Sequence, residues 1–374
     1  MKKFFVVVLL AMLLVPATFF AAENEEEVRF SAVFSMTGAA SAYGRMCYEG
    51  VELGTELYPT VLGKDIKVKV IDTKSDKVEA ANGVRRAIEN DRAFAILGNI
   101  ISGNCLAGSA VAEELRTPMM TPSGTNPMIT EGKEFMNRVC FLDSFQGTAA
   151  ARLMTDLGNY YVAVFVDVEQ DYSVALSKYF QDEFKKLGGT MFMEYYKTGD
   201  QDFSAQVLDA MSKGVDAFYM PGYYQEIALI SSQAYDSGFY GDLVSSDGAY
   251  AQETLSIGGK AVEGLYLTAL SHPDAPLTNE NAKEFQEAYM EKYDGKKPSA
   301  FAGLGYDAYL VVRDAIERAG TLDKEKVAKE IRKTKDFPGA TGIITINENG
   351  NAEKSVTVVT VKDGEFAYDS MINP

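Results

Sequence analysis

Histidine is almost absent from this chain. Its 374 residues include one, His272, followed by Pro273. A general base, a catalytic triad or a histidine metal site would have to rest on that residue alone. Cysteine is scarce as well. Cys47, Cys105 and Cys140 are widely spaced and odd in number, so they build neither a disulfide framework nor a C-x-x-C metal pattern. One bridge in an oxidising compartment and three free, buried thiols both agree with that spacing. No serine has glycine two positions before it, which removes the G-x-S-x-G nucleophile elbow. No P-loop, no H-E-x-x-H, and no G-x-G-x-x-G after the first strand occurs. Asp143, Asp167 and Asp171 cluster, but acids are so abundant that most are solvated surface. The expectation is a protein that is not an enzyme, with no cofactor and no catalytic metal.

Positive charge is in deficit, with 36 Lys and Arg against 53 Asp and Glu and a net charge of −17. Nucleic-acid binders present basic faces, so no nucleic-acid partner is expected. A small zwitterion is not excluded, because its steering depends on the field at the site. Long apolar runs are missing beyond the N-terminus. There Lys2 and Lys3 precede an unbroken apolar run from Phe4 to Val15, about 12 residues long. That run is too short to span a bilayer comfortably. Val15-Pro-Ala17 and Ala21-Ala22 both offer small-residue cleavage sites, and no Cys near them signals a lipid anchor. Residues 1–22 are assigned as a cleaved signal peptide, which predicts a soluble protein exported to the periplasm or the extracellular space.

What is present is regular alternation. Val28–Phe34, Ile66–Asp72, Phe94–Leu97 and Pro118–Thr121 read as strands, with helical spacing over Arg45–Tyr58, Lys77–Asn90 and Cys105–Arg116. A second series has strands at Tyr161–Val166, Met191–Tyr195, Asp216–Met220, Asp242–Ser245 and Val262–Ala269. Its helices lie at Ser173–Leu187, Ser204–Lys213 and Gln225–Ser237. Strand–helix alternation of this kind means βαβ units and a parallel, doubly wound sheet. About 350 residues after the leader exceed one core, so two lobes are expected, with a break near Leu142–Gly147. Three helices follow Ser271, at Asn279–Tyr293, Phe301–Ala319 and Lys324–Lys333. The strand-like Thr341–Ile346, Ser355–Val361 and Phe366–Tyr368 close the chain. The assignment is α/β, two doubly wound parallel-sheet lobes joined by a three-crossing hinge near Asp143, Ser271 and Ala340. Lobe 1 takes residues 23–143 and 271–340, and lobe 2 takes 144–270 and 341–374.

Chemistry concentrates between Gly98 and Pro127. Two buried strands empty into loops built of Ser, Gly, Asn and Thr, Ile101-Ser-Gly-Asn104 and Pro122-Ser-Gly-Thr-Asn-Pro127. Ligands of open α/β sheets bind outside the carboxyl ends of the strands. A helix start with free N–H groups beside hydroxyls suits an anion such as a carboxylate. Either loop alone reads equally as an N-cap and a turn, but two side by side point to a site.

These loops belong to an ordered set. Ser35-Met-Thr-Gly38 with Tyr43-Gly44, Asp72 with Ser75-Asp76, and Leu97-Gly98 with Ser102 come first. Thr121-Pro-Ser-Gly-Thr125, Leu142-Asp-Ser-Phe-Gln-Gly147, Gln170-Asp-Tyr172, Gly222-Tyr223 and Asp247-Gly248 follow. Ala300-Phe301 with Gly305-Tyr306, then Gly342-Ile-Ile and Asn349-Gly-Asn351, complete it. In order and spacing the set resembles periplasmic binding proteins of type 1, the leucine/isoleucine/valine-binding family of ABC transporters. The resemblance implies that an α-carboxylate is held at Ser102 and Thr125. The ammonium would meet the Ser123 carbonyl and Asp247, where the family often has Glu. Tyr43, Tyr172 and Tyr223 match cleft-lining positions, Ile100, Ile101 and Phe301 match the side-chain pocket, and Gly124 and Gly248 lie in the same loops. The positions of a disulfide found in some relatives match Ser75 and Ile101, so it cannot form here. The implied function is binding a small amino acid, branched-chain or aliphatic, as a monomer, and delivering it to a membrane permease. A sensing subunit, or a binder of an amide or aromatic acid, is the alternative.

Overall fold

The computed structural model describes residues 27–374; the expected signal peptide lies outside them. Strand and helix alternate from the start. The order is β1 (Glu27–Phe34), α1 (Ser41–Leu57), β2 (Thr60–Val61), β3 (Lys64–Asp72), α2 (Lys77–Glu89), β4 (Ala95–Gly98), α3 (Ser102–Glu114), β5 (Met119–Thr121) and β6 (Met136–Arg138). The six strands form one sheet in the order β2-β3-β1-β4-β5-β6, parallel except where β2 turns back on β3. Helices cover both faces, so β1 is buried continuously from Phe30 to Phe34 and β4 along its whole length.

The chain then crosses into α4 (Asp143–Asp156), which packs against the second unit. That unit comprises β7 (Tyr161–Asp167), α5 (Asp171–Lys186), β8 (Thr190–Tyr196), α6 (Ser204–Ser212), β9 (Ala217–Met220), α7 (Tyr224–Asp236), β10 (Asp242–Ser246), α8 (Gln252–Gly258) and β11 (Tyr266–Ala269). Three helices lead back toward the first sheet, α9 (Glu280–Lys292), α10 (Ala300–Ala319) and α11 (Lys324–Ile331). A small sheet of β12 (Phe337–Gly339), β13 (Gly342–Ile346) and β14 (Ala352–Glu353) follows. The hairpin β15 (Val356–Lys362) and β16 (Glu365–Ile372) completes the second sheet, ordered β16-β15-β11-β10-β9-β7-β8. Its two-residue turn, Asp363-Gly364, has positive φ at both positions, as a type I′ hairpin requires. Among the described residues no helix is long and apolar enough to cross a membrane.

The third crossing is pinned to α10. The buried Asp307 carboxylate accepts the N–H groups of Ala340 at 2.6 Å and Thr341 at 3.0 Å, and Lys354 donates to the Thr341 hydroxyl. Helix α10 is well specified locally. Ser299 accepts the Ala302 N–H at its start, and Gly320 ends it in the left-handed region. It crosses α1 at very short range because both helices carry glycine at the contact. A Cβ on Gly50 would lie 1.8 Å from the Ala302 carbonyl oxygen, and one on Gly305 would lie 2.0 Å from that of Cys47. This close crossing brings the rings of Tyr43 and Phe301 to 4.8 Å.

Several boundaries differ from the sequence reading. Helix α3 begins at Ser102, not Cys105, and the crossing at Leu142–Gly147 leads straight into the first turn of α4. β2 and β6 have no counterpart in the sequence pattern. β6 is a three-residue strand whose Asn137 and Arg138 carry no apolar signal, though both are fully buried. Val262 lies in a short 3₁₀ turn, so β11 starts only at Tyr266.

The α1–α10 crossing gives a direct test. Gly50→Ala is expected to destabilise the fold by about 1–3 kcal/mol through overpacking, outweighing a helix-propensity gain of under about 1 kcal/mol. An unchanged urea midpoint would show that the crossing is not close-packed.

Candidate functional site

The site begins with the ends of β4 and β5. Ile101 occupies the N-cap position of α3 in an extended conformation and offers no side-chain cap. The first N–H groups of that helix are therefore left for another acceptor, at the positive end of its dipole. Ser102 does not cap its own helix; its hydroxyl lies 3.4 Å from the Asn126 N–H. The two loops are tied to each other. Thr121 Oγ1 donates to Asn99 O at 2.7 Å and accepts the Gly124 N–H at 2.9 Å, while Ser123 Oγ donates to Ile100 O at 3.0 Å. These bonds turn the main chain of residues 123–125 so that, among the described residues, neither the Ser123 carbonyl nor the Thr125 N–H has a partner.

The second sheet contributes from the end of β10. Asp247 and Gly248 follow it in a short 3₁₀ turn. Asp247 is 4 % exposed. Its Oδ1 accepts from Tyr172 Oη at 2.6 Å and Gln146 Nε2 at 2.7 Å, and the same amide also donates to Thr268 O at 2.9 Å. Burial pushes the Asp247 carboxyl up to about 6, and the Tyr172 and Gln146 hydrogen bonds hold it from rising further. Tyr172 stacks on Tyr223 with centroids 5.3 Å apart. Tyr43, from α1, reaches across the seam to donate to Gly248 O and accept the Tyr224 N–H at 3.3 Å. Only glycine fits at 248, where a Cβ would lie 2.3 Å from Gly222 O.

These groups surround one space. Tyr43, Ile100, Ile101, Ser102, Ser123, Thr125, Tyr172, Tyr223, Asp247, Gly248 and Phe301 line a cavity of about 250 Å³ between the two sheets. Hydroxyls and a helix start face it from one side, a carboxylate from the other, with rings and isoleucines between. Gly124 is not brought in. Its N–H goes to Thr121 and its carbonyl accepts from Arg138 Nη1 and Cys140 Sγ, so both main-chain groups point behind the loop. A larger groove of about 540 Å³ runs past Ser271, His272 and Thr341. It lacks this convergence of polar groups, and both ring nitrogens of His272 are engaged, with Phe366 O at 3.2 Å and the Asp274 N–H at 3.1 Å.

The three cysteines are free and buried. Cys105 and Cys140 pack behind the 121–125 loop and burial pushes both thiols up to about 12, which keeps them neutral. Among the described residues no group of three His, Cys, Asp or Glu is placed to hold a metal.

Three contributors escaped the sequence reading. Gln146 orients Asp247, Tyr224 meets Tyr43, and Asp143 lies fully buried beside Thr125, whose carbonyl accepts its N–H at 3.0 Å. Gln146 and Asp143 sit in a motif of the ordered set to which neither residue types nor resemblance attach a ligand role. Both carboxyl oxygens of Asp143 lack a fully formed hydrogen bond. Burial, reinforced by the charge of Asp247, pushes this carboxyl up to about 8.

Two α/β units whose strand ends close on one polar-ended cavity define a cleft-type solute-binding protein. Residues 27–365 match the family described as periplasmic binding protein. The chain belongs to that family, in its type 1, leucine/isoleucine/valine-binding group. It is 51 % identical to a leucine binding protein, LivK, from Thermotoga maritima MSB8, with a TM-score of 0.91 over 93 % of this chain and 99 % of that one. It is 28 % identical to the branched-chain amino acid transporter substrate binding protein LivJ from Streptococcus pneumoniae, solved in complex with isoleucine. The TM-score there is 0.87, over 93 % of this chain and 100 % of the other. A Leu/Ile/Val-binding protein homolog from Brucella suis biovar 1 is 28 % identical over 324 residues, 84 % of this chain and 85 % of the relative.

Asp143 predicts a pH signature. A carboxyl raised to about 8 holds its proton in the folded state long after the unfolded chain has released it, so folding stability is lost as pH rises between those values. Asp143→Asn removes this loss. The stability difference between variant and unaltered protein is expected to move in the variant's favour by at least about 1 kcal/mol from pH 5 to pH 8. Urea titrations showing a pH-independent difference would contradict it.

Proposed function

We propose that this protein captures a free amino acid with a branched-chain or other aliphatic side chain, closes two lobes around it, and delivers it to an ABC permease. The observation that carries the reading is the polarity of the cavity. Ser102, Thr125 and the start of α3 present donors on one side, and Asp247 presents a buried carboxylate on the other. That asymmetry fits a zwitterion: the α-carboxylate on the Ser102 and Thr125 hydroxyls and the Thr125 N–H, the ammonium on Asp247 and the Ser123 carbonyl. Ile100, Ile101, Phe301 and the Tyr43, Tyr172 and Tyr223 rings then surround the side chain. The names of the Thermotoga and pneumococcal relatives support a branched-chain ligand.

The lobes in this reading are residues 23–143 with 271–340, and 144–270 with 341–374. Besides the Tyr43 hydrogen bonds, Lys77 meets Asp171 at 2.7 Å and Arg45 meets Glu253 at 3.8 Å across the seam. These side chains are roughly half exposed, and such pairs contribute only about 0–1 kcal/mol each. Closure therefore depends on contacts that the ligand makes with both lobes at once. In this reading residues 1–22 are a cleaved export signal, and the mature monomer works outside the cytoplasm, where a permease would receive it.

The direct experiment is a thermal-shift screen of the twenty amino acids with amides and aromatic acids alongside, since a bound ligand stabilises by mass action. Leucine, isoleucine or valine is expected to give the largest shift; a response confined to amides or aromatic acids would overturn the assignment. Ser102→Ala and Thr125→Ala should each weaken binding by about 1–3 kcal/mol, and calorimetry finding both unchanged would remove the carboxylate site. Asp247→Asn should weaken amino acids far more than their deaminated analogues; equal losses would make the residue structural. The ammonium needs Asp247 ionised, so affinity is expected to fall as pH drops through about 6, by up to about tenfold per unit. A flat profile between about pH 7 and 5 would contradict this pairing.

A further inference from the structure

Behind the Ser123–Asn126 loop, on the side away from the cavity, lies a guanidinium that the proposed clamp does not use. Arg138 ends β6 and is fully buried. Its Nη1 donates to Gly124 O at 2.5 Å, its Nη2 to Asn126 O at 2.9 Å and Thr130 Oγ1 at 3.3 Å, and its Nε to Asn351 Oδ1 at 2.8 Å. Every one of these acceptors is neutral.

A buried cation is costly unless something supplies negative charge nearby. Among the described residues no carboxylate lies within ion-pair distance of Arg138, whose donors are taken by main-chain carbonyls, a hydroxyl and an amide oxygen. The acid that faces it is Asp143, whose burial pushes it up to about 8 and keeps it protonated near neutrality. The neighbouring thiols, Cys105 and Cys140, are neutral as well. The guanidinium itself stays charged, since arginine does not lose its proton in proteins. The protein thus leaves one positive charge directly behind the loop that fronts the cavity.

The loop has the geometry to transmit it. The Gly124–Thr125 peptide is trans, so its carbonyl and its N–H point in opposite directions. The carbonyl is taken by Arg138, and the N–H belongs to Thr125, which lines the cavity and has no acceptor among the described residues. A cation bonded to the carbonyl end of an amide strengthens the donor at its other end, as in any hydrogen-bonded chain. We propose that Arg138 is the buried counter-charge of the ligand carboxylate, acting through the Gly124–Thr125 peptide and fixing the loop by its second bond to Asn126. This rests on the carboxylate reading of the cavity. It makes Arg138 a positioning residue that selects a carboxylate over a neutral end group, at a place the ligand never touches.

The test uses the full-length mature chain, L-leucine, and L-leucinamide, which keeps the ammonium and side chain but replaces the carboxylate by an amide. In calorimetry the unaltered protein is expected to prefer leucine. Arg138→Met, checked for a native circular dichroism spectrum, should lose at least about tenfold in leucine affinity and less than about threefold in leucinamide affinity. Equal losses for both probes, or no loss for either, overturn the proposal. Should Arg138→Met fail to fold, Arg138→Lys is read instead. It keeps the charge but cannot hold both carbonyls, and the leucine preference should shrink by about three- to tenfold; an unchanged preference overturns the proposal. An unaltered protein that binds leucinamide as well as leucine, or binds no leucine, refutes the carboxylate reading itself and this role with it.

Discussion

Asp247 is a carboxylate buried at the seam of two sheets with no cation beside it. Two neutral donors, Tyr172 and Gln146, converge on one of its oxygens, and no lysine or arginine among the described residues pairs with it. Opposite it stand the uncapped start of α3 and the Thr125 N–H. The cavity between them is therefore dipolar before anything enters. Much of the local architecture serves that arrangement. Glycines let α1 and α10 cross closely enough to set Tyr43 beside Phe301, and Gly248 lets the Asp247 turn lie against Gly222. The hydroxyls of Thr121 and Ser123 spend their bonds on the main chain, which frees a carbonyl and an N–H at the places where charge is wanted.

In the proposed clamp, a dipolar cavity split between two bodies makes binding and closure one event. Neither half is complete alone: the donors sit on the first sheet and the carboxylate on the second. The seam's own ion pairs are partly exposed and weak, so they bias the equilibrium little. A zwitterion that touches both halves contributes most where water is excluded, because interactions between charges strengthen as the local dielectric falls. This is a differential contact, the only kind that shifts a two-state equilibrium.

Much of this was legible in the sequence, and the exceptions have physical reasons. Strand-end loops of small polar residues announce themselves through composition, so Ser102, Ser123 and Thr125 stood out along with the alternation of strands and helices. The ordered set of motifs then added Asp247 and the tyrosines. Gly124 was included with its neighbours because spacing says which residues share a loop, not which way a peptide plane faces. Arg138 and Gln146 went unread for the opposite reason. Both are polar side chains inside the protein, one on a three-residue strand and one in the first turns of the helix that follows the crossing. Hydropathy cannot separate a buried arginine from a solvated one; only the carbonyls around it can.

The proposed clamp lays a free amino acid across this cavity with its two charges on opposite lobes. A crystal structure of the mature protein grown with L-leucine tests it most directly. The carboxylate is expected within hydrogen-bond distance of Ser102 Oγ and the Thr125 N–H, and the ammonium on Asp247 and the Ser123 carbonyl. A ligand bound in the reverse sense, or outside the space between Tyr43, Thr125 and Asp247, would contradict it.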